Sequence, residues 1–196
     1  MATGSCLLVA GDEQLLRQAA AGCSQALEEL FRRYRSVAYR VAYRLLGNEA
    51  DALDAVQEAF VKALTHLPGF QGRSSFKTWL LRVVSNAAMD LGRQRGRREA
   101  LSLHALASGL REEMEPAVAA ESSRELERQD LRRKLTQALD HLPAAQRHTF
   151  VLHAEADLSY REVADVLGIS IGTVMSRLYY ARQKLRSYLE PWTRNQ

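Results

Sequence analysis

The sequence predicts an all-α fold of two small helical domains joined by a flexible acidic linker. Apolar residues recur at helical spacing in several separate stretches, and 46% of the 196 residues are apolar, enough for two modest cores. Only 11 Gly and 4 Pro are present, too few for a β-rich fold with many tight turns. The charge distribution is the third observation, because it divides the chain into three blocks.

The net charge of +4 is spread unevenly along the chain. Residues 1–98 hold 14 Lys or Arg and 9 Asp or Glu, residues 99–130 hold 3 and 8, and residues 131–196 hold 10 and 6. Two basic blocks therefore flank an acidic one. Basic blocks favour phosphate backbones through counterion release, whereas an acidic connector suits either a basic channel of a partner or plain solvation.

The first 25 residues are interpreted as an N-terminal extension. Their short apolar run, 6–10, has no basic region before it and is soon followed by Asp12 and Glu13, so we expect neither a signal peptide nor a membrane anchor. The two cysteines, Cys6 and Cys23, form no CxxC motif and no dense disulfide pattern. This usage predicts a reducing, cytoplasmic setting.

A long amphipathic helix is predicted from Ala26 to Leu46. Its apolar side contains Leu27, Leu30, Phe31, Tyr34, Val37, Ala38, Val41, Ala42 and Leu45. A second helix is predicted from Asp51 to Leu64, with Asn48 as its cap and with Ala52, Val56, Phe60 and Ala63 facing inward. An outward stripe on this helix contains Asp54, Gln57, Glu58 and Val61. Leu53 also faces outward, which suggests a protein contact, although single exposed leucines are ordinary.

A third helix is predicted from about Ser75 to Leu91, after the breakers Pro68, Gly69 and Gly72. Its inward residues are Phe76, Trp79, Leu80, Val83, Val84, Ala87 and Ala88. Its outward residues are Lys77, Arg82, Ser85, Asn86 and Met89, and a basic tail, 93–98, follows. Basic and amide groups beside a glycine loop with Phe70 suit single-stranded nucleic acid. An aromatic core under an ordinary basic surface is the alternative.

The segment Ser159–Leu178 predicts a helix-turn-helix. Ser159 and Glu162 have capping-box spacing, Gly168 suits the end of the first helix, and Ser170 can cap the second. The shared core is predicted to contain Val163, Ala164, Leu167, Ile169, Val174, Leu178 and Ala181. The second helix points Gly172, Ser176, Tyr179, Tyr180 and Gln183 outward, with Met175 and Thr173 flanking and Arg177, Arg182 and Lys184 near the edges. A helical hairpin packed against another element is the alternative.

These segments together resemble the sigma-70 superfamily, and within it the small extracytoplasmic-function (ECF) sigma factors, which contain only region 2 and region 4. The resemblance is carried by DALDAVQEAF (51–60), by residues 70–98, by LDHLPAAQRHTFVL (139–152) and by the helix-turn-helix. It implies region 2 at 26–98, a linker at 99–130, region 4 at 131–190 and a tail at 191–196.

The resemblance also implies a role for each surface. The residues implied in docking on the clamp coiled coil of the largest RNA polymerase subunit are Asp51, Asp54, Gln57, Glu58 and Val61. Those implied in binding the melted minus-10 strand are Arg73, Ser75, Lys77, Arg82 and Asn86. Those implied in reading the minus-35 duplex are Ser170, Thr173, Met175, Ser176, Arg177, Tyr179, Tyr180 and Arg182. An anti-sigma factor is a further expected partner.

Three positions depart from the family pattern. Leu53 replaces a common acid, and Met175 and Tyr180 stand where many relatives have basic residues. Fewer cations on this helix mean less contact with guanine or phosphate, so thymine methyl groups or water-mediated contacts are expected to matter more.

The sequence predicts no enzyme, no metal, no cofactor, no small-molecule substrate and no membrane insertion. No phosphate-cradling glycine loop or HExxH motif is present, and the five histidines lack ligand spacing. Two other function classes compete with the sigma-factor interpretation. A helix-turn-helix regulator acting alone leaves the stripe on the second helix without a purpose. An enzyme acting on nucleic acid is supported only by the basic tail.

Overall fold

The computed structural model describes residues 11–105 and 134–193, and every regular element in these ranges is a helix. In chain order the elements are α1 (Asp12–Ala20), α2 (Ser24–Leu46), α3 (Glu49–His66), a 3₁₀ turn (Leu67–Gly69), α4 (Phe76–Ala105), α5 (134–140), α6 (Ala144–Ala154), α7 (Tyr160–Leu167) and α8 (Ile171–Thr193). The predicted all-α class is confirmed. No helix in the described ranges is both long enough and apolar enough to cross a membrane.

Helices α1–α4 form the first bundle, in which α3 packs on both α2 and α4. The largest side chains that are fully buried in it are Leu15, Leu30, Val41, Leu80, Leu81 and Val84. Asn48 caps α3 as predicted, since its Oδ1 accepts from the backbone N–H of Asp51 at 2.8 Å. The sequence left α1 unassigned. In the structure it packs on α2 by burying Leu15, and its Asp12 carboxylate lies 3.1 Å from Arg33.

Helix α4 continues beyond the predicted end at Leu91 to Ala105. The predicted basic tail, 93–98, and the first residues of the predicted linker are therefore helical, and the rest of the linker lies outside the described residues. Gly92 does not stop the helix, because an interior glycine costs only about 1 kcal/mol. A Cβ at Gly92 would lie 3.5 Å from the Leu46 side chain, which marks the close passage of α2.

Helices α5–α8 form the second bundle, in which α6 and α7 both pack on α8. Its fully buried large side chains are Leu139, Val151, Leu152, Leu158, Val163 and Leu178. Of the predicted core residues, Leu167 and Ile169 are only partly buried, while Val166 is buried although it was not predicted. The reason is that α7 packs against α4 as well as α8, so both of its sides are covered.

Within the described ranges, side chains of α2 and of α4 form contacts between the two bundles. Arg44 in α2 reaches across to α5 and α6, with its Nε 2.9 Å from the Glu155 carboxylate and its Nη1 2.9 Å from the Thr136 hydroxyl. From α4, the Thr78 hydroxyl donates to the Glu162 carboxylate in α7 at 2.9 Å, and Arg82 Nη2 donates to the Asp165 backbone oxygen at 2.5 Å. We call these the inter-bundle contacts.

Glu29 in α2 is a buried carboxylate held by two arginines. Its oxygens lie 2.7 Å from Arg32 Nε and 2.8 Å from Arg33 Nε, and these hydrogen bonds lower its pKa from 4.5 to about 2. Because the folded pKa lies below the unfolded one, the stabilisation is complete above pH 4.5 and is lost as the pH falls toward about 2.

Glu29→Gln should therefore lower the urea midpoint at pH 7. The difference from the parent protein should shrink when both are measured near pH 2.5, where the parent carboxylate is largely protonated in the unfolded chain. Glu28→Gln, at the exposed neighbouring acid, is the matched control and should change the midpoint little at either pH. A constant difference between the Glu29→Gln variant and the parent would contradict the expectation.

Candidate nucleic-acid and protein interfaces

Helix α3 exposes a mixed acidic and apolar surface along its length. Asp54, Gln57 and Glu58 are exposed, and beside them Leu53 and Val61 are 53% and 58% exposed. Leu64, which the sequence analysis did not single out, is 43% exposed on the same side. The sequence could have indicated Leu64, because it comes three residues after Val61 and seven after Gln57, a spacing that places the three on one side of a helix. We call these six residues the α3 stripe, and together they form a surface suited to a protein partner.

Asp51 is also on α3 but serves the fold. Its carboxylate accepts from Asn48 Nδ2 at 2.7 Å and from Arg95 Nη1 at 2.9 Å. The hydrogen bond from Asn48, and to a smaller extent the one from Arg95, lowers the pKa of Asp51. The residue ties the start of α3 to the far end of α4, so it is less available to a partner than Asp54.

The loop between α3 and α4 is supported by an aromatic cluster. Phe70 lies 5.2 Å from Trp79 between ring centroids, Phe76 lies 5.6 Å from Trp79, and Tyr34 lies 5.6 Å from Phe76. The aromatic cluster that the sequence analysis gave as the alternative to a strand-binding surface is thus present below the loop. A cleft of about 480 Å³ separates the loop from α1 and is lined by Asp12, Leu16, Arg17, Phe70, Gly72 and Ser75.

The five residues predicted for the minus-10 strand lie in this loop and along α4. Arg73 and Asn86 are exposed, and Lys77 is half-buried. Ser75 caps α4, since its Oγ accepts from the Thr78 N–H at 3.0 Å, and this commits part of its hydroxyl to the fold. One outward prediction for α4 is wrong, because Ser85 is buried, whereas Met89, like Lys77 and Arg82, is half-buried.

The second bundle covers part of this α4 surface. Arg82 Nη2 donates to the backbone oxygen of Asp165 at 2.5 Å, beside the bond from Thr78 to Glu162. Hydrogen bonds from Ser159 and Thr78 and the nearby Lys77 favour the charged carboxylate, and the pKa of Glu162 is lowered despite its burial. A carboxylate thus lies near Lys77, one of the residues predicted for the minus-10 strand, and accepts from the neighbouring Thr78 hydroxyl.

The helix-turn-helix has the predicted geometry. Ser159 and Glu162 form the capping box, with Oγ accepting at 3.3 Å and the carboxylate accepting from Ser159 N–H at 2.9 Å. Gly168 ends α7 in the left-handed conformation at φ 64°, which a side chain would strain. Ser170 Oγ accepts from the Thr173 N–H at 3.1 Å and so caps α8. The turn therefore presents the start of α8 to solvent.

The residues predicted to read the minus-35 duplex lie on the exposed side of α8, with two qualifications. Thr173 and Arg177 are only half-exposed. The remaining six, Ser170, Met175, Ser176, Tyr179, Tyr180 and Arg182, are exposed. We call the exposed side of α8 from Ile171 to Tyr180 the α8 reading face.

His148 lies under the reading helix. It is 8% exposed, and its Nε2 has no protein hydrogen-bond partner. Burial, and then the charge of Arg177, lowers its pKa from 6.5 to about 4. Within the described ranges no group of three His, Cys, Asp or Glu is placed to hold a metal ion.

Comparison with known families gives two matches. Residues 30–98 match the model for Sigma-70 region 2, and residues 132–185 match that for Sigma-70 region 4, so more than half of the chain is covered. The RNA polymerase sigma-H factor of Pseudomonas aeruginosa is 31% identical over 185 residues, covering 93% of this chain and 96% of the relative. The ECF sigma-E factor of Escherichia coli is 30% identical, covering 93% and 96%. The chain belongs to the ECF sigma factors of the sigma-70 family.

A third relative is a longer ECF sigma factor. SigE of Mycolicibacterium smegmatis is 37% identical over 164 residues, and the matched part is 83% of this chain but only 61% of SigE. The present sigma factor therefore aligns with less than two thirds of that relative.

Two solved structures share the fold of this sigma factor. CnrH, solved in complex with the cytosolic domain of CnrY, has a TM-score of 0.69 at 29% identity and covers 92% of this chain and 97% of its own. RpoE of Bartonella quintana, solved with the anti-sigma factor NepR, has a TM-score of 0.63 at 25% identity and covers 83% and 98%. Since CnrH covers 92% of this chain, both matched regions, 30–98 and 132–185, have structural counterparts.

Proposed function

We propose that this sigma factor binds the RNA polymerase core through the α3 stripe and directs the holoenzyme to promoters. The observation that carries the proposal is the stripe itself. It places Asp54, Gln57 and Glu58 beside exposed Leu53 and Val61 on a helix whose other side is fully used in the core. Mixed apolar and charged surfaces of this kind are typical of protein interfaces. A regulator that only binds DNA has no use for it.

Region 2 is proposed to hold the melted minus-10 strand. The support is the row of Arg73, Lys77 and Asn86 along the loop and α4, with Arg82 beside it. Cations there track phosphates, and the exposed amide of Asn86 can hydrogen-bond to an unstacked base. In this proposal Ser75 acts mainly by fixing the start of α4 through its cap.

Region 4 is proposed to read the minus-35 element as duplex. Helix α8 has its first turns exposed and its other side buried through Val174, Leu178 and Ala181. This is the geometry by which the second helix of a helix-turn-helix enters the major groove. Arg182 and Lys184, further along α8, are placed to contact the phosphates that flank the bases.

The protein itself is proposed to make and break no covalent bond. RNA synthesis belongs to the core enzyme, and the sigma factor supplies binding energy and position. We infer a cytoplasmic location in a bacterium, because that is where its polymerase partner works. An anti-sigma factor is a proposed second partner, since the structurally similar RpoE of Bartonella quintana was solved with one.

The proposal is tested by transcription in vitro. Purified core polymerase, with and without this protein, is given fragmented bacterial genomic DNA, and transcript 5′ ends are sequenced. Discrete start sites should appear only when the protein is added. Specific binding to duplex DNA with no polymerase-dependent initiation would instead support the stand-alone regulator, which the family membership and the α3 stripe do not favour.

A further inference from the structure

The α8 reading face is unusually apolar for a surface directed at DNA. Its largest exposed side chains are Met175 at 55%, Tyr179 at 59% and Tyr180 at 53%, with Ile171 at 45% at the start of the helix. Ile171, Met175 and Tyr179 follow one another at a spacing of four residues, so they form a continuous strip along one side. The strip spans the first three turns of α8, the part that enters a major groove.

Four hydroxyl groups on or beside this strip, those of Ser170, Thr173, Ser176 and Tyr179, are already engaged within the protein. Ser170 Oγ and Thr173 Oγ1 lie 2.9 Å apart and share a hydrogen bond. Ser176 Oγ donates to the Thr173 backbone oxygen at 3.0 Å. The Tyr179 hydroxyl accepts from Gln183 Nε2 at 3.3 Å. Each of these hydroxyl groups keeps some hydrogen-bonding capacity, but its bond within the protein fixes its direction and limits how it can meet a base.

The cations of α8 lie off the strip. Arg177 is half-buried and close enough to His148 for its charge to act on that imidazole. Arg182 turns back toward the first helix of the motif, with its Nη1 3.5 Å from the Tyr160 hydroxyl. Lys184 lies two residues beyond Arg182 on the same helix. None of them replaces the bidentate arginine that most often reads guanine.

We propose that α8 selects its minus-35 element by apolar contact with thymine methyl groups, with Met175 and Tyr179 as the principal readers. The inference rests on the proposed function of region 4. Thymine C5-methyl is the only apolar group that a base pair presents in the major groove. A thioether and an aromatic ring pack against it, whereas covering the polar edge of guanine or cytosine with them leaves its hydrogen-bonding groups unsatisfied. The arginine and lysine residues at the flank supply phosphate affinity without base choice.

The experiment begins with selection of duplexes by the full-length protein from a randomised pool, without polymerase. We expect the selected sites to share thymines at fixed positions. Each shared thymine is then replaced by deoxyuracil, which removes only the C5-methyl group and keeps all hydrogen-bonding groups. Affinity should fall about fourfold for each methyl group contacted, the factor that burial of one methylene-sized group gives.

Variants assign the contact to the two readers. Met175→Leu, which stays apolar, should keep the preference for thymine over deoxyuracil, and Met175→Gln, which has a similar length, should lose it at one position. Tyr179→Ala should lose it at a neighbouring position. Ser176→Ala tests the competing hydrogen-bonded or water-mediated mode of reading, in which it would lower affinity. Ser187→Ala removes an exposed hydroxyl of α8 that donates to the Lys184 backbone oxygen beyond the α8 reading face; it is the matched control and should leave affinity unchanged.

Two results would overturn the inference: affinity that does not change on deoxyuracil substitution, or a large loss for Ser176→Ala with none for Met175→Gln. The proposed function fails separately, by absence of polymerase-dependent transcripts. If affinity depends on thymine methyl groups but no such transcripts appear, only the proposed function fails. If transcripts start from sites whose affinity does not change on deoxyuracil substitution, only the inference fails.

Discussion

Asp54→Arg should reduce binding to core polymerase by about a hundredfold or more and abolish initiation. The carboxylate lies in the middle of the α3 stripe, and reversing a charge at the centre of an interface both removes an attraction and places like charges together. The side chain is exposed, so the substitution leaves the core of region 2 intact. Affinity is measured by titrating the fluorescently labelled protein with core polymerase. Initiation is measured from the transcripts produced.

The control for this variant is Glu28→Arg, which makes the same change of charge at an exposed acid on α2, outside the stripe. It should bind core like the parent protein. Duplex binding by α8 should survive in both variants, because region 4 folds around its own core. Unchanged core affinity for Asp54→Arg, or equal loss of polymerase and duplex binding, would contradict the proposed division of roles.

Region 4 should lose stability in acid well before region 2 does. His148 has a folded pKa of about 4 against 6.5 when unfolded, so the unfolded state binds more protons between these values. Stability is therefore complete above pH 6.5 and declines as the pH falls toward 4, by about 3 kcal/mol in total. The window for Glu29 in region 2 lies lower, between 4.5 and about 2.

The measurement is the free energy of unfolding in urea at pH 7.5 and pH 4.5. His148→Leu should make the difference between the two values smaller, because leucine fills the buried site without a proton to bind and without the unpartnered Nε2. The exposed His66 provides the control, and His66→Leu should keep the parent difference. If the difference in the free energy of unfolding between the two pH values is unchanged in His148→Leu, groups other than His148 cause the loss of stability in acid.

The local features of the fold were predictable from sequence because short-range chemistry determines them. Asn48 caps α3, Ser159 and Glu162 form the capping box, and Gly168 ends α7, all as their spacing indicates. Each involves residues no more than a few positions apart, so neighbouring side chains decide the outcome. The same holds for the apolar periodicity that buries Val174 and Leu178.

Features that depend on distant residues were not predictable. The bond from Thr78 to Glu162 joins positions 84 apart, and no periodicity connects them. The burial of Val166 follows from the same packing of α7 on α4. Helix α1 was missed because a helix of nine residues is marginal by itself, and tertiary contact of Leu15 stabilises it.

Some features of the candidate sites were likewise predictable from local sequence, and others depend on distant residues. The outward positions of Asp54, Gln57 and Glu58 followed from helical period alone. The structural role of Asp51, which sets it apart from those three, did not follow from the period. It depends on a hydrogen bond from Arg95, in the later part of α4. Likewise, the sequence of α4 alone could not predict the hydrogen bond from Arg82 to the Asp165 backbone oxygen in the other bundle.

The inter-bundle contacts have a thermodynamic consequence for promoter affinity. Thr78 and Arg82 hold α7 at the surface proposed for the minus-10 strand, so DNA can occupy that part of α4 only in molecules where α7 has moved away. The observed dissociation constant for the strand then equals the intrinsic one divided by the fraction of open molecules. Any partner that favours separation of the two bundles raises the apparent affinity for DNA without adding a contact to it.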